Sequence, residues 1–265
     1  MVKYNLNDDG TGTIYEICER KNYLSRKAPR IKGASYRGER LEQIIAANID
    51  LVVIITSIKQ PPFNNKTLDR FLVTTVSAGL RTIIVINKSD LDDDGKISYW
   101  KSLYEKTGYK VIISSVIDGN GIEEIKNHLT NYITLFWGQS GVGKSSFLNK
   151  LFPGLNLKVK EVSNYTSKGM HTTVTSIMIN VAENTFIIDT PGVREIEPFG
   201  VKKQDLSHYF IEFKDYIHSC KFNTCTHFHE PGCAVIKAVE NGEISEERYD
   251  SYLRLLNTIE EDINF

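Results

Sequence analysis

Gly138-Gln139-Ser140-Gly141-Val142-Gly143-Lys144-Ser145-Ser146 sets three glycines, a lysine and several hydroxyls where a polyphosphate can be wrapped. Glycines at this spacing let backbone N–H groups curl around a β-phosphate, and a following helix N-terminus adds partial positive charge. Lys144 is placed to bridge the β- and γ-phosphates, and the Ser145 hydroxyl to ligate Mg²⁺. A chance glycine-rich turn would lack the flanking pattern. Tyr132 to Trp137 is β-branched and aromatic and runs straight into Gly138, while Ser145 to Leu151 opens a helix. The chemistry implied is nucleotide binding.

A base reader lies upstream. Asn87-Lys88-Ser89-Asp90 follows the apolar run Thr82 to Ile86, and Asp90 can accept hydrogen bonds from the guanine N1–H and exocyclic amine. Adenine offers neither donor, so it would leave a buried carboxylate unpaired, a larger penalty than forgoing the same hydrogen bonds in water. Four such residues alone could be a surface loop; the strand before them favours the functional reading. Lys110 to Ser115 is a further strand, whose Ser114-Ser115 end resembles the Ser-Ala that backs a guanine ring.

Downstream, Phe186 to Asp189 is an apolar strand leading into Asp189-Thr190-Pro191-Gly192. Asp189 would hold Mg²⁺ through water, and the Gly192 N–H would sense the γ-phosphate. Lys168-Gly169-Met170-His171-Thr172-Thr173 suits a mobile switch in which Thr172 or Thr173 completes the Mg²⁺ shell. The residue after Gly192 is Val193, which can neither donate nor accept where many GTPases orient water with Gln. His171 is the candidate for that role, since a neutral imidazole can orient water, unless it simply packs near the switch. Ordinary GTPases place the phosphate loop first. Here Asn87 precedes Gly138 by about fifty positions, so the GTPase domain reads as circularly permuted.

Cys220-x4-Cys225-x-His227-x5-Cys233 supplies three thiolates and an imidazole within fourteen residues. That set closes a tetrahedral Zn²⁺ site with no position open for water, so the metal would be structural. The alternative is a chance group of reduced thiols, and His218 and His229 are nearby substitutes. Cys18 is left over as a free, partly buried thiol.

The permuted motif order, the phosphate loop, Gly169-Met170-His171-Thr172-Thr173, Asp189-Thr190-Pro191-Gly192 and the Cys/His spacing together resemble the RsgA family. The resemblance runs from about Gly12 to the C-terminus, and Ile44 to Asp50 resembles the family's junction between its first two domains. It implies an N-terminal OB-fold barrel, a permuted GTPase domain and a C-terminal zinc domain with helices. It also implies GTP hydrolysis stimulated by the small ribosomal subunit during late maturation, with release afterwards. Met170 stands where the family usually has Arg, and Val174 where it often has Thr. The stretch before Asn48 is shorter than the ~70 residues a five-stranded barrel normally takes, so an incomplete barrel or a minimal sheet is expected there.

The elements that must position these residues follow from apolar runs. Strands are expected at 50–56, 82–87, 110–114 and 132–137, alternating with helices over Leu68–Ala78 and Ile122–Thr130, an α/β arrangement. The expected division is an OB-like β region over 1–46, a permuted GTPase domain over 47–200 and a zinc-binding helical domain over 201–265. Arg248, Tyr249, Tyr252, Leu253 and Leu256 suit a last helix packing one face on the zinc module. Acidic residues gather toward the C-terminus, from Glu243 to Asp262.

The chain of 265 residues is 41% hydrophobic and carries a net charge of −1, which argues against a general nucleic-acid binder. The average conceals a basic stretch of Arg20, Lys21, Arg26, Lys27, Arg30, Lys32, Arg37 and Arg40 against Glu39 alone. Tyr23 and Tyr36 are interleaved with it and could stack on unpaired bases; the bland reading is a solvated basic loop. With neither a membrane span nor a signal-peptide core, and with metal-type cysteine spacing, the expectation is a cytoplasmic monomer. Its partners would be GTP and the small-subunit rRNA, and its cofactors Mg²⁺ and structural zinc. Two other readings remain: a nucleotide-regulated RNA-binding scaffold that scarcely hydrolyses GTP, and a permuted GTPase of large-subunit assembly.

Overall fold

The computed structural model describes residues 2–28, 41–155, 157, 176–190 and 197–259. Two antiparallel hairpins come first: β1 (Val2–Leu6) with β2 (Gly12–Ile17), and β3 (Tyr23–Lys27) with β4 (Glu42–Ala47). Among the described residues they form separate two-stranded sheets, and every residue of β1 and β2 is exposed.

Leu51-Val-Val-Ile-Ile-Thr-Ser57 is buried throughout and forms β5, as a strand covered on both faces should. It is followed by α1 (Asn65–Ser77), β6 (Thr82–Asn87), α2 (Lys96–Lys106), β7 (Lys110–Ile113), α3 (Ile122–Asn127), β8 (Ile133–Gly138), α4 (Lys144–Leu151), β9 (Ile177–Ala182) and β10 (Thr185–Asp189). The six-stranded sheet has the order β7-β6-β5-β8-β10-β9, parallel except for β9, which runs antiparallel on β10. Successive side chains of β5 serve opposite cores. Val52 and Ile54 join Phe71 and Leu72 of α1, Leu103 of α2 and Trp137. Leu51, Val53 and Ile55 join Ile125 of α3 and Phe147 of α4.

The permuted α/β architecture matches the sequence expectation, with shifted helix ends. α1 begins three residues earlier than its apolar pattern because the Asn64 side chain caps it, accepting from Thr67 N. α3 ends sooner, because His128 and Leu129 donate three residues back, to Ile125 and Lys126, tightening the last turn.

The C-terminal part holds short turns over Lys203–Tyr209 and Ile211–Phe213, then α5 (Lys214–Ile217), α6 (Ala234–Glu240) and α7 (Glu246–Thr258). Ser245 caps α7, and Glu246 and Glu247 in its first turn complement the helix dipole. A third core gathers Phe210, Phe213, Val235, Tyr252 and Leu255 around Val73 of α1. Beside it Arg248, 1% exposed, is gripped by two carboxylates. Its Nε and Nη2 donate to Glu212 at 2.6 and 3.0 Å, and its Nη1 to Asp69 of α1. Burial works against the guanidinium charge, but Asp69 and Glu212 outweigh it and hold its pKa well above the usual value. Asn65 adds hydrogen bonds of 3.2 Å to the Glu247 carbonyl and the Ser251 hydroxyl, so α1 and α7 are clasped along one side.

Candidate functional site

The phosphate loop leaves the sheet at Gly138, where a Cβ would stand 2.3 Å from the Ile55 carbonyl oxygen. It closes at Gly143, with φ +90° and space for no side chain, since a Cβ would meet Asn87 Nδ2 at 2.6 Å. α4 then starts at Lys144, directing its free N–H groups back over the loop. Gln139, Ser145 and Ser146 are half-buried and Ser140 is exposed. The Gln139 amide reaches Thr67 Oγ1 of α1 at 3.4 Å.

The Asn87-Lys88-Ser89-Asp90 motif is tied to this loop. Asn87 Nδ2 donates to the Val142 carbonyl at 2.9 Å, and Asn87 Oδ1 accepts from Ser114 Oγ at 3.2 Å. Ser89 N donates to the Ser114 carbonyl at 3.0 Å. Lys88, at φ 62°, donates to the Gly141 carbonyl at 2.8 Å and to the Gln60 carbonyl. Burial pushes its ammonium pKa down, with Asp90 opposing. Asp90 is exposed, yet its carboxylate is oriented. Ser115 Oγ donates to Asp90 Oδ1 at 2.7 Å while accepting from Asp118 N at 3.1 Å, so its single proton is committed to Asp90. On the phosphate side Lys144, 7% exposed, pairs with Asp189 at the end of β10. Thr190 Oγ1 donates to the Phe136 carbonyl at 3.0 Å, fastening the turn after Asp189 to β8. His171, Thr172, Thr173 and Gly192 lie outside the described residues.

The second constellation is also assembled. One ligand atom from each of Cys220, Cys225, His227 and Cys233 lies within 4.8 Å of the others. The Cys220 and Cys233 sulfurs are 3.9 Å apart, and His227 Nδ1 is 3.5 and 3.4 Å from them. Tetrahedral edges built from Zn–S bonds of about 2.3 Å and Zn–N bonds of about 2.0–2.1 Å are about 3.8 and 3.5 Å. The donor set and its spacing fit zinc. Burial lowers the His227 pKa, favouring the neutral imidazole a metal needs. Glu230 fixes the loop: its carboxylate accepts from Thr226 N and Oγ1 at 2.7 and 2.5 Å, and from Phe228 N and His229 N at 3.0 and 3.1 Å. Burial alone would raise its pKa; these donors outweigh that and hold it at about 2. Tyr249 and Tyr252 of α7 donate to the His227 and Thr226 carbonyls at 2.8 and 2.6 Å, seating the last helix on the module as its apolar face predicts.

The model of the RsgA GTPase family matches residues 17–199. The chain belongs to the RsgA GTPase family. A relative from Chlorobaculum parvum named "Small ribosomal subunit biogenesis GTPase RsgA" is 42% identical over 250 residues, covering 94% of this chain and 79% of that protein. One of the same name from Bacteroides fragilis is 40% identical over 263 residues, covering 98% of this chain and 83% of its own. Among solved structures, YjeQ from Thermotoga maritima superposes with a TM-score of 0.76 at 34% identity, over 97% of this chain and 81% of that one. YloQ, described as a circularly permuted GTPase, gives 0.71 at 29% identity, over 97% of this chain and 78% of its own.

As a member of the RsgA GTPases the chain is a GTP-hydrolysing enzyme. Some interactions in its site escape a reading of motifs. The sequence reading sets Ser114-Ser115 behind a guanine ring and gives no sign that the Ser115 hydroxyl also donates to the Asp90 carboxylate. The Gln60 carbonyl under Lys88 has no sequence signal, since any residue supplies a carbonyl. Arg20, Lys21, Arg26 and Lys27 of the basic stretch are described, and Arg26 donates to Gln43 Oε1 at 3.0 Å; Arg30, Lys32, Tyr36, Arg37 and Arg40 are not. Among the described residues no helix is long and apolar enough to cross a membrane.

Proposed function

We propose that this chain hydrolyses GTP as a step in late maturation of the small ribosomal subunit, activated by the subunit's rRNA. The observation that carries this reading is the union, on one chain, of a guanine reader tied to a phosphate loop with a Cys₃His module. Relatives 40% or more identical carry the name of small-subunit biogenesis GTPases. Asn87, Lys88, Ser89 and Asp90 would read guanine, with Ser114 and Ser115 bracing them. Gly138 to Ser146 would cradle the phosphates. Lys144 would exchange Asp189 for the β- and γ-phosphates, and Ser145 and Asp189 would hold Mg²⁺, which neutralises charge on the transferring phosphoryl group. His171 would orient the attacking water, Gly192 would sense the γ-phosphate, and Thr172 or Thr173 would complete the Mg²⁺ shell. Cys220, Cys225, His227 and Cys233 would hold a structural zinc. The reading divides the chain into a β region over 1–46, a GTPase domain over 47–200 and a zinc-binding domain over 201–265, in a cytoplasmic monomer.

GTP turnover by the purified protein with mature small subunits, with large subunits and alone tests this, using Lys144→Ala as control. Strong stimulation by small subunits only is expected. Tight GTP binding without stimulation would refute it and favour the scaffold reading, which Val193 supports.

A further inference from the structure

The β3–β4 hairpin is secured to the nucleotide-binding core from within. Leu24 is 0% exposed and shares a core with Ala46, Ile49 and Phe71. The Asn22 side chain exchanges two hydrogen bonds with Ile49, Nδ2 donating to the carbonyl at 2.8 Å and Oδ1 accepting from the N–H at 2.7 Å. Both strands then reach outward. The Ile45 carbonyl of β4 accepts from Ser176 Oγ at 3.0 Å. Ser176 directly precedes β9 and comes three positions after Thr173. On the other strand, Lys27 N of β3 donates to the Glu197 carbonyl at 2.9 Å, and Arg26 forms an antiparallel bridge with Pro198. Glu197 comes five positions after Gly192. The next rung of the hairpin itself runs through Ala28 N, which donates to the Leu41 carbonyl at 2.8 Å. One hairpin therefore holds the chain just beyond His171–Thr173 and again just beyond Gly192.

We infer that the β3–β4 hairpin is a positioning element for GTP hydrolysis, with Ser176 as its side-chain fastening. An anchor three residues away confines a residue to roughly 11 Å of it, and one five residues away to roughly 18 Å. Shortening the free span also lowers the entropy lost when such a stretch orders around a γ-phosphate. The inference rests on the reading that His171, Thr172 or Thr173, and Gly192 serve the γ-phosphate, its Mg²⁺ and the attacking water. GDP has no γ-phosphate, and on the same reading it is held through Asn87–Asp90 and Gly138–Ser146, which none of these fastenings touches. A hairpin that only added stability would move GDP affinity and melting along with turnover; one that positions the γ-phosphate side moves turnover alone. Leu24 and Asn22 keep the hairpin seated when an outer fastening is cut.

The test is single-turnover GTP hydrolysis by the zinc-loaded full chain in excess over GTP, without ribosomes, beside affinity for a fluorescent GDP and melting temperature. Ser176→Ala is expected to slow hydrolysis about fivefold, the worth of one hydrogen bond, with GDP affinity and melting temperature at the parent values. Ser176→Thr, which keeps the hydroxyl, should restore most of the rate. Lys27→Pro removes the N–H and is expected to be at least threefold slower than Lys27→Ala, which keeps it. Parent-like hydrolysis by Ser176→Ala with no difference between the two Lys27 variants overturns the inference. So does a loss of GDP affinity that matches the loss of rate. His171→Ala, Thr172→Ala and Thr173→Ala are measured separately, so failure of the roles given to those residues and failure of the fastening are distinguishable.

Discussion

Arg248→Met is the most demanding test of how the enzyme is assembled. Methionine keeps much of the apolar stem that packs near Phe210, whose ring centroid lies 4.6 Å from the guanidinium carbon. What it removes is the cation between Asp69, 0% exposed, and Glu212. Tyr104 still donates to Asp69 at 2.7 Å, but a neutral hydroxyl does not offset a buried carboxylate charge. Breaking one side of such a pair costs about 3–5 kcal/mol. For a chain of this size that lowers the melting temperature by roughly 10 °C. Urea unfolding followed by tryptophan emission reads it directly, because Trp137 packs edge-on against Phe71 of α1, with centroids 4.4 Å apart. Adding Asp69→Asn to Arg248→Met should recover stability, since the orphaned charge is gone while Tyr104 keeps an acceptor. A loss below about 1 kcal/mol for the single variant, or a further loss in the double, would refute the argument that a buried unpaired charge dominates.

Four further outcomes are expected. Gly143→Ala should cut guanine-nucleotide affinity at least tenfold by equilibrium binding of a fluorescent GDP, because its Cβ would displace Asn87 and its φ disfavours any side chain by about 1–2 kcal/mol; near-parent affinity would contradict the close approach. Ser115→Ala should weaken GDP binding by roughly tenfold or more, the worth of one hydrogen bond to a charged group, with Ser115→Thr restoring much of it. Glu230→Gln should speed zinc loss to a chromogenic chelator by about tenfold, as for other second-layer supports of metal ligands. Full zinc removal should expose the stretch from Lys214 to Ile259 to limited proteolysis while 51–138 stays protected, since Tyr249 and Tyr252 seat α7 on the loop of the Cys₃His cluster.

The sheet and both chemical constellations were legible because each has a strong local signature. β5, β6 and β8 are continuous apolar runs, and the phosphate loop and the Cys/His set have fixed spacings. What stayed hidden depends on pairings between distant residues. Asp69 and Arg248 are 179 positions apart, and nothing in either neighbourhood announces that both are buried. The capping Asn64 is visible in the sequence, but apolar periodicity starts only at Leu68, so the pattern understates α1. At the N-terminus β1 alternates apolar and polar residues from Val2 to Leu6 yet is exposed throughout, so its pattern is too short and its burial too slight to mark a barrel strand, and β2 does not alternate at all.

The strand order β7-β6-β5-β8-β10-β9 also fixes a timetable for synthesis. The strands β5, β6 and β7, which carry the Asn87–Asp90 motif, emerge together and can pair as soon as they leave the exit tunnel, whereas β8 and β10, which lead into the Gly138 loop and the Asp189 turn, come later. The two groups meet along one seam, Leu51–Ile55 against Thr134–Gly138. Until β8 arrives, the β5 edge of the nascent sheet is an open template flanked by Val, Ile and Leu, the sort of edge that recruits wrong partners. Joining that seam also brings Asn87 to the Val142 carbonyl, so the nascent chain shields its most adhesive edge in the same event that first ties its two motif-bearing loops together.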